Sequence, residues 1–206
     1  MFGLIESGYS EYDYNFNDIL GIGRDDQVKS DFPLKYNCMD YCDLKVEDQG
    51  RTMQCVAYSL AKVLEYNHET LKDPNNHFDV DKKEIYDSRS NKDTDNGMTI
   101  RDALHFVKHN KYHIKLYGRV QGRGAIMKSL FVNGPCIMAL PVYDSSRTDF
   151  WNGSHYEGGH AVCCVGYNDE GFIILNSWGE TYGDFGTTVL PYDELGKLLE
   201  CWVVVA

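Results

Sequence analysis

The stretch Gln49-Gly50-Arg51-Thr52-Met53-Gln54-Cys55-Val56-Ala57-Tyr58-Ser59-Leu60 runs from a glycine turn into a long apolar segment. Apolar side chains recur in that segment at the spacing of a helix, with alanines beside them. The pattern predicts a helix from about Gln54 to Tyr66 that is apolar on most sides and therefore buried. Cys55 would lie in its first turn, where unpaired N–H groups and the helix dipole favour a thiolate.

After this helix the sequence is polar, then shows a helical period again, and finally shows strand-like alternation and apolar runs. Residues 67–98 look loop-like, and further helices are predicted from Thr99 onward and from Gly124 to Val132. Short apolar segments between Gly, Asn and Asp turns predict strands over 137–143, 161–167, 172–175, 187–190 and 201–205. Helices followed by strands predict an α+β protein with two segregated halves.

Charge and hydropathy narrow the classes of partner. The 206 residues carry 31 acidic and 20 basic side chains, a formal net charge of -11. A nucleic-acid partner is not expected, because phosphate binding needs clustered basic residues. A membrane partner is not expected either, because the sequence has no apolar run long enough to span one. The first residues lack the basic start and apolar core of a signal peptide, which predicts an intracellular protein.

The cysteines agree with a reducing compartment. There are seven, an odd number, so free thiols are the expected state. Cys38 and Cys42 are not followed by a second pair of zinc ligands at the usual spacing, so neither a metal nor another cofactor is predicted. Four further cysteines lie in apolar strand-like runs and are interpreted as buried core residues: Cys136, Cys163, Cys164 and Cys201.

One histidine differs from the others in its setting. His160 follows two glycines and begins a predicted strand, whereas five others lie in polar loops or on helix faces: His68, His77, His105, His109 and His113. If the strand that ends at Asn176 pairs with that of His160, the amide oxygen accepts the ring N–H and the other nitrogen faces Cys55. Trp178 would cover that hydrogen bond. From the residues alone, His160 and Trp178 are equally consistent with core positions, and Asn176 with a turn.

Three blocks in order resemble the papain family of cysteine peptidases. Gln49 precedes Cys55 by six residues, as in the segment that carries the family's nucleophile. Gly158-Gly159-His160-Ala161-Val162 is similar to its histidine segment, and Asn176-Ser177-Trp178-Gly179 to its asparagine segment, 16 residues further on. The likeness covers about residues 32–206.

The resemblance implies a papain-like two-lobed fold, with a helical lobe over about 32–133, an antiparallel β lobe over about 134–206, and a cleft between them. It implies an endopeptidase that acts on peptide or protein substrates. Its catalytic residues would be Cys55 as nucleophile, His160 as base and acid, Asn176 orienting His160, and Gln49 in the oxyanion hole.

Substrate-binding roles are implied for five residues. Gly97 and Met98 would pair with the substrate backbone, Ala161 and Met138 would line a side-chain pocket, and Trp178 would lie beside the site. Met53 and Met98 depart from the family pattern, which has glycine at both places, and so predict a narrowed cleft. A catalytically silent papain-like binding protein therefore stays an alternative, as does an exopeptidase or transpeptidase using the same site.

Residues 1–31 are acidic and rich in tyrosine, and they are interpreted as an extension outside the core. Because relatives in this family carry a pro-segment across the cleft, the hypothesis is that residues 1–31 form a short inhibitory strap. Aromatic side chains predict that Glu6 to Asn17 is the covering part.

Overall fold

The computed structural model describes residues 2–20, 32–71, 80–94, 96–110, 112 and 114–206. Its helices are α1 (Phe16–Leu20), α2 (Cys55–Leu71), α3 (Lys82–Asp87), α4 (Ile100–Lys108) and α5 (Arg123–Asn133). Its strands are β1 (Leu4–Ile5), β2 (Tyr14–Asn15), β3 (Tyr36–Asn37), β4 (Met98–Thr99), β5 (Leu116–Arg119), β6 (Cys136–Val142), β7 (Gly158–Tyr167), β8 (Gly171–Leu175), β9 (Thr187–Pro191) and β10 (Glu200–Val205).

Helix α2 confirms the predicted buried helix and begins at Cys55 itself. A turn precedes it in which Gly50 has φ +59°, a conformation that glycine adopts without strain. The predicted start of α4 is also confirmed: the Thr99 hydroxyl accepts a hydrogen bond from the backbone N–H of Asp102 at 3.0 Å. Both helices therefore follow from local sequence signals.

The strands form one curled sheet in the order β2-β5-β10-β6-β7-β1-β4, with β8 and β9 continuing from β7 and β3 pairing with β7. Strands β6 and β7 are antiparallel, so Ala139 lies opposite Ala161 and Leu140 opposite His160. Two cores result. One lies between α2 and the sheet and includes Ala139 and Ala161, and the other lies within the strand-rich half.

Two sequence predictions are wrong within the described residues. The stretch 67–98 is not all loop, because α2 continues to Leu71 and α3 follows from Lys82. Residues 2–20 are not an extension outside the core: β1 and β2 belong to the sheet, and Phe16 is buried against α5 and its neighbours. Residues 21–31, His77 and His113 lie outside the described residues.

The prediction of free thiols, with four of the cysteines buried in the core, is confirmed. All seven thiols are unbridged and buried. No helix among the described residues has both the length and the apolar composition needed to cross a membrane.

Candidate active site

Cys55 is the first residue of α2 and is fully buried. Burial raises the pKa of its thiol, because a thiolate loses its hydration there. Hydrogen bonds from the backbone of Ala161 and of Gly3 act in the opposite direction. The Cys55 sulfur therefore lies against Ala161, the residue after His160, where α2 packs on the sheet.

His160 and Asn176 are brought together by strand pairing. Cys163 of β7 lies opposite Leu175 of β8, and Asn176 is the residue that follows β8. The Nε2 atom of His160 lies 2.8 Å from Oδ1 of Asn176, and because the amide oxygen only accepts, Nε2 carries the proton. In neutral imidazole Nδ1 is then an acceptor, and no described residue hydrogen-bonds to it.

Aromatic rings enclose this hydrogen bond. Trp178 stacks on the imidazole with ring centroids 4.6 Å apart and an interplanar angle of 24°. Phe150 meets the imidazole edge-on at 5.6 Å. Desolvation by these neighbours lowers the pKa of His160 to about 4, against which the bond to Asn176 acts. The imidazole is therefore neutral at neutral pH while the site is closed.

The buried imidazole should make stability fall with acid. The unfolded chain binds a proton on His160 below its ordinary pKa, about 6.5, whereas the folded chain does so only near 4. Stability should therefore be lost as pH falls from about 6.5 to about 4, by about 3 kcal/mol from this group. The measurement is urea unfolding at pH 7 and pH 4.5, with His160→Gln as the comparison because carboxylates also titrate. Equal pH slopes in both proteins would contradict the expectation.

Gln49 is held in one orientation by three hydrogen bonds. Its Nε2 donates to the carbonyl of Thr52 at 2.8 Å, and its Oε1 accepts from the Ser177 hydroxyl at 2.6 Å. Its backbone N–H donates to the carbonyl of Ser177 at 2.8 Å. A flip of the Gln49 amide would break its hydrogen bond with the Ser177 hydroxyl, so the orientation is fixed. Thr52 uses one of the two Nε2 protons, and the other is left for a ligand. Ser177 was not singled out from the sequence, although it is next to Asn176.

The cleft between helix and sheet is filled by the first residues of the chain. Leu4 pairs in parallel with Met98 and antiparallel with Gly159, so β1 bridges the two halves. Phe2 lies with its ring centroid 6.2 Å from that of Trp178 and 6.3 Å from that of His160. Residues 2–5 therefore cover the site, and the prediction that Glu6 to Asn17 does so is wrong in its boundaries.

Gly3 passes through the narrowest part of this cleft. The carbonyl of Gly3 accepts a hydrogen bond from the N–H of Met98 at 2.7 Å. A Cβ on residue 3 would lie 1.9 Å from the carbonyl oxygen of Met53 and 2.7 Å from its Cα. Those are backbone atoms, which cannot swing away as a side chain can, so only glycine fits in this place.

The predicted substrate-binding residues do not all meet. Met98 and Ala161 are buried beside the cleft, and the Gly97 carbonyl accepts from Asn91 at 3.1 Å. Trp178 lies against His160, as described above. Met138 is turned into the core of the strand-rich half, away from Ala161, because adjacent residues of a strand face opposite sides. Ala139, opposite Ala161, belongs to the same core as Ala161.

Comparisons with known proteins match parts of the chain. Residues 107–196 match the family model described as papain family cysteine protease. A peptidase C1-like protein of Acanthamoeba polyphaga mimivirus is 37% identical over 79 residues, which cover 32% of this chain and 25% of the relative. A cathepsin B-like protein of Giardia intestinalis is 40% identical over 74 residues, covering 30% of this chain and 24% of the relative. This chain thus matches about a quarter of the length of each.

Solved structures resemble the chain over its whole length. Xylellain, a cysteine protease from Xylella fastidiosa, superposes with a TM-score of 0.76 at 23% identity, covering 100% of this chain and 96% of the other. Procathepsin B S9 from Trypanosoma congolense superposes with a TM-score of 0.74 at 12% identity, covering 99% and 85%. At these identities the likeness establishes the fold and confirms the predicted α+β class.

Proposed function

We propose that this chain, a member of the papain family of cysteine peptidases, hydrolyses peptide bonds through a thioester on Cys55. The observation that carries the proposal is the hydrogen bond from His160 Nε2 to Asn176 Oδ1 at 2.8 Å. This bond leaves Nδ1 of His160 as the basic nitrogen. The residue after His160, Ala161, hydrogen-bonds the Cys55 sulfur. A nucleophile, a base and an orienting group are the three parts that acyl transfer needs.

In the proposed reaction His160 Nδ1 takes the proton of the Cys55 thiol as the sulfur attacks the peptide carbonyl. The C–N bond then breaks, and the same proton passes to the leaving amine. Water attacks the thioester, giving one proton to Nδ1. The C–S bond breaks, and the thiolate is ready to recover that proton. Asn176 keeps its hydrogen bond to Nε2 throughout, so the imidazole works through one nitrogen only.

The developing negative charge on the carbonyl oxygen would be stabilised by Gln49. Its remaining Nε2 proton and the N–H groups at the start of α2 are the available donors, because the first N–H groups of a helix have no partner within it. The bonds from Thr52 and Ser177 hold the Gln49 amide in place before the substrate arrives. Prior orientation is what gives such donors their effect on rate.

The N-terminal segment, residues 2–20, would act as an inhibitory strap that is bound but not cut. The Gly3 carbonyl oxygen points to the N–H of Met98, so it is not available to the donors of Gln49 and α2. Without those donors, attack of Cys55 on this carbonyl has no stabilised product. The segment would therefore occupy the place of a substrate without the geometry of one.

Arginine side chains hold this segment at its far end. The Arg101 guanidinium binds the Asp13 carboxylate through two hydrogen bonds of 2.9 and 2.6 Å, and Arg119 adds a third of 3.0 Å. Both arginines also donate to the carbonyl of Gly8. Burial acts to raise the pKa of Asp13, but these charge-assisted bonds together lower it below its ordinary value. They would keep the strap close to the cleft when residues 2–5 leave it.

Selective alkylation of Cys55 tests the proposal and separates it from a silent binding protein. With the cleft opened by Gly3→Val, iodoacetamide should modify Cys55 at least about tenfold faster than any of the other six thiols, because Cys55 lies at a helix start beside an imidazole. The Cys42 thiol also contacts a base, the Glu69 carboxylate, but burial and that negative charge raise its pKa. Peptide mapping by mass spectrometry at short times measures the rates, and His160→Gln is the control. Equal modification of all seven cysteines, or no effect of the control, would contradict an activated thiol.

A further inference from the structure

Residues 13–17 of the N-terminal segment fill a groove that is separate from the cleft. They lie along the outer edge of the sheet, where β2 pairs in parallel with β5 and α1 follows. The cleft residues 2–5 contact other elements, because β1 pairs with β4 and β7. In the sheet order, four strands lie between β2 and β1: β5, β10, β6 and β7. Residues 13–17 can therefore stay bound when residues 2–5 leave the cleft.

The first part of the groove binds a carboxylate. The side chain of Asp13 is 7% exposed, and Arg101 and Arg119 donate three hydrogen bonds to it, as described above. Both guanidinium groups lie over the ring of Trp202, at 5.7 and 4.5 Å from its centroid. Trp202 is fully buried and holds the two cations in place. An occupant without a negative charge would leave Arg101 without the carboxylate that it pairs with, so the groove selects an acidic residue here.

A glycine makes room for the backbone of the bound segment. Gly118 of β5 lies opposite Tyr14. A Cβ on Gly118 would lie 2.4 Å from the carbonyl oxygen of Tyr14 and 2.8 Å from Cδ2 of Phe16. The first of these is a backbone contact, which no rotamer change relieves. Glycine within a strand is typical of a place where another backbone approaches closely, and here it forms the floor of the groove.

Phe16 and Asn17 fill the other end of the groove. Phe16 is 1% exposed and belongs to the same core as Ile126 and Leu130 of α5. The Nδ2 atom of Asn17 donates to the carbonyl of Gln121 at 2.7 Å, and its Oδ1 accepts from the N–H of Gln121 at 2.9 Å. These two bonds use the donor and the acceptor of one side-chain amide, so the groove recognises an asparagine here.

The buried and exposed positions define a linear motif. Residues 14 and 15 are exposed, whereas positions 13, 16 and 17 carry the side chains that the groove holds. The recognised sequence is therefore Asp-X-X-Phe-Asn, where X is any residue. Such an arrangement combines the addition of a strand at a sheet edge with pockets for particular side chains, which is a general mode of peptide recognition.

We propose that this groove is a second peptide-binding site, which also takes an Asp-X-X-Phe-Asn segment of another protein as a parallel strand on β5. The partner is a polypeptide with an exposed acidic and aromatic segment, and by displacing residues 13–17 it releases the far end of the strap. The inference does not depend on the proposed peptidase function, because the groove and the cleft are made of different residues. In the unsubstituted chain residues 13–17 compete at the high effective concentration of an intramolecular ligand, so the test needs a chain whose own motif has been removed.

The binding test uses the full chain with Asp13→Ala and Phe16→Ala, which empty its own groove, and with Cys55→Ala, so that no peptide is cut. The probe is a fluorescently labelled peptide of residues 9–19, and the readout is fluorescence anisotropy. The peptide should bind saturably. Its Asp13→Asn and Phe16→Ala forms should each have a Kd at least about tenfold higher, the factor expected for a charge-assisted hydrogen bond or a buried phenyl ring. The Tyr12→Ala peptide is the matched control and should bind equally, because Tyr12 is 86% exposed.

Substitutions in the chain provide the second comparison. Gly118→Val, added to the same chain, should abolish binding, because its side chain fills the floor of the groove. A chain that keeps Asp13 and Phe16 should bind the peptide at least about tenfold more weakly, because its own segment competes. If Phe16→Ala prevents folding, Asp13→Ala with Asn17→Ala loosens the segment through its polar bonds alone, and the same peptides are compared. The proposal would be overturned by a folded chain that binds no peptide, by an unchanged Kd for the Asp13→Asn peptide, or by undiminished binding to the Gly118→Val chain.

Discussion

Replacing Gly3 by valine should raise peptide hydrolysis by the full chain at least tenfold. The clash should destabilise the covered state by more than the usual 1–3 kcal/mol of overpacking. Each 1.4 kcal/mol corresponds to about a tenfold change in the fraction of open cleft. A Cβ at this position would lie 1.9 Å from the carbonyl oxygen of Met53, a distance that no rotamer change relieves. Relief requires that residues 2–5 leave the cleft and give up the bond from Met98 N–H to the Gly3 carbonyl. Initial rates on fluorogenic peptides under reducing conditions provide the measurement.

Two controls make this result specific to the strap. Tyr9→Val places the same residue type in an exposed part of the N-terminal segment, where Tyr9 is 90% exposed, and should leave the rate unchanged. Gly3→Val combined with Cys55→Ala should return the rate to background, since the nucleophile is gone. A folded Gly3→Val chain that hydrolyses peptides no faster than the unsubstituted chain would rule out inhibition by residues 2–5.

Asn176→Ala, in the chain opened by Gly3→Val, should lower kcat by about 10²–10⁴, a range that reaches the loss measured when an orienting residue is disabled in serine peptidases. The amide oxygen at 2.8 Å fixes the proton on Nε2 of His160 and therefore the basic nitrogen at Nδ1. Without it the imidazole can adopt the other tautomer and rotate between Trp178 and Phe150. Because Asn176 is not placed against the substrate, KM should change little while kcat falls.

The comparison for this variant is Asn110→Ala. That side chain caps the end of a helix on the surface by donating to the Phe106 carbonyl at 2.7 Å, so its loss should affect stability slightly and kcat not at all. The pH dependence adds a second readout, since a misoriented imidazole should change the acid limb of kcat as well as its height. A fall in kcat of less than threefold for Asn176→Ala would show that the packing of Trp178 alone orients His160.

The helices and strands that depend on sequence-local patterns were predictable from the chain. The apolar period of residues 54–66 indicated α2, and the spacing of Thr99 and Asp102 indicated the start of α4. Predicted strands after Pro135 agree with β6 to β10 to within a few residues. Each of these depends on contacts between near neighbours, which a linear sequence displays directly.

Errors arose where a residue's role depends on a distant partner. Met138 and Ala161 both read as strand residues near the cleft, but register decides their faces, and Ala139 rather than Met138 lies opposite Ala161. Helix α3 was missed because it has six residues, most of them polar, and because its Asp81 cap lies among other turn formers. Residues 2–5 read as an irregular start because two-residue strand β1 exists only through its pairing with β4 and β7.

By itself the sequence identified the side chains that we propose carry the chemistry and located the longer helices and strands, because residue type and hydrophobic period are local properties. Only the tertiary structure decided that Ser177 fixes the amide of Gln49, that Phe150 and Trp178 enclose His160, and that Gly3 lies against Cys55. The physical reason is distance along the chain. Gly3 and Cys55 are 52 positions apart, and their contact is set by sheet register and by the packing of α2 on the sheet.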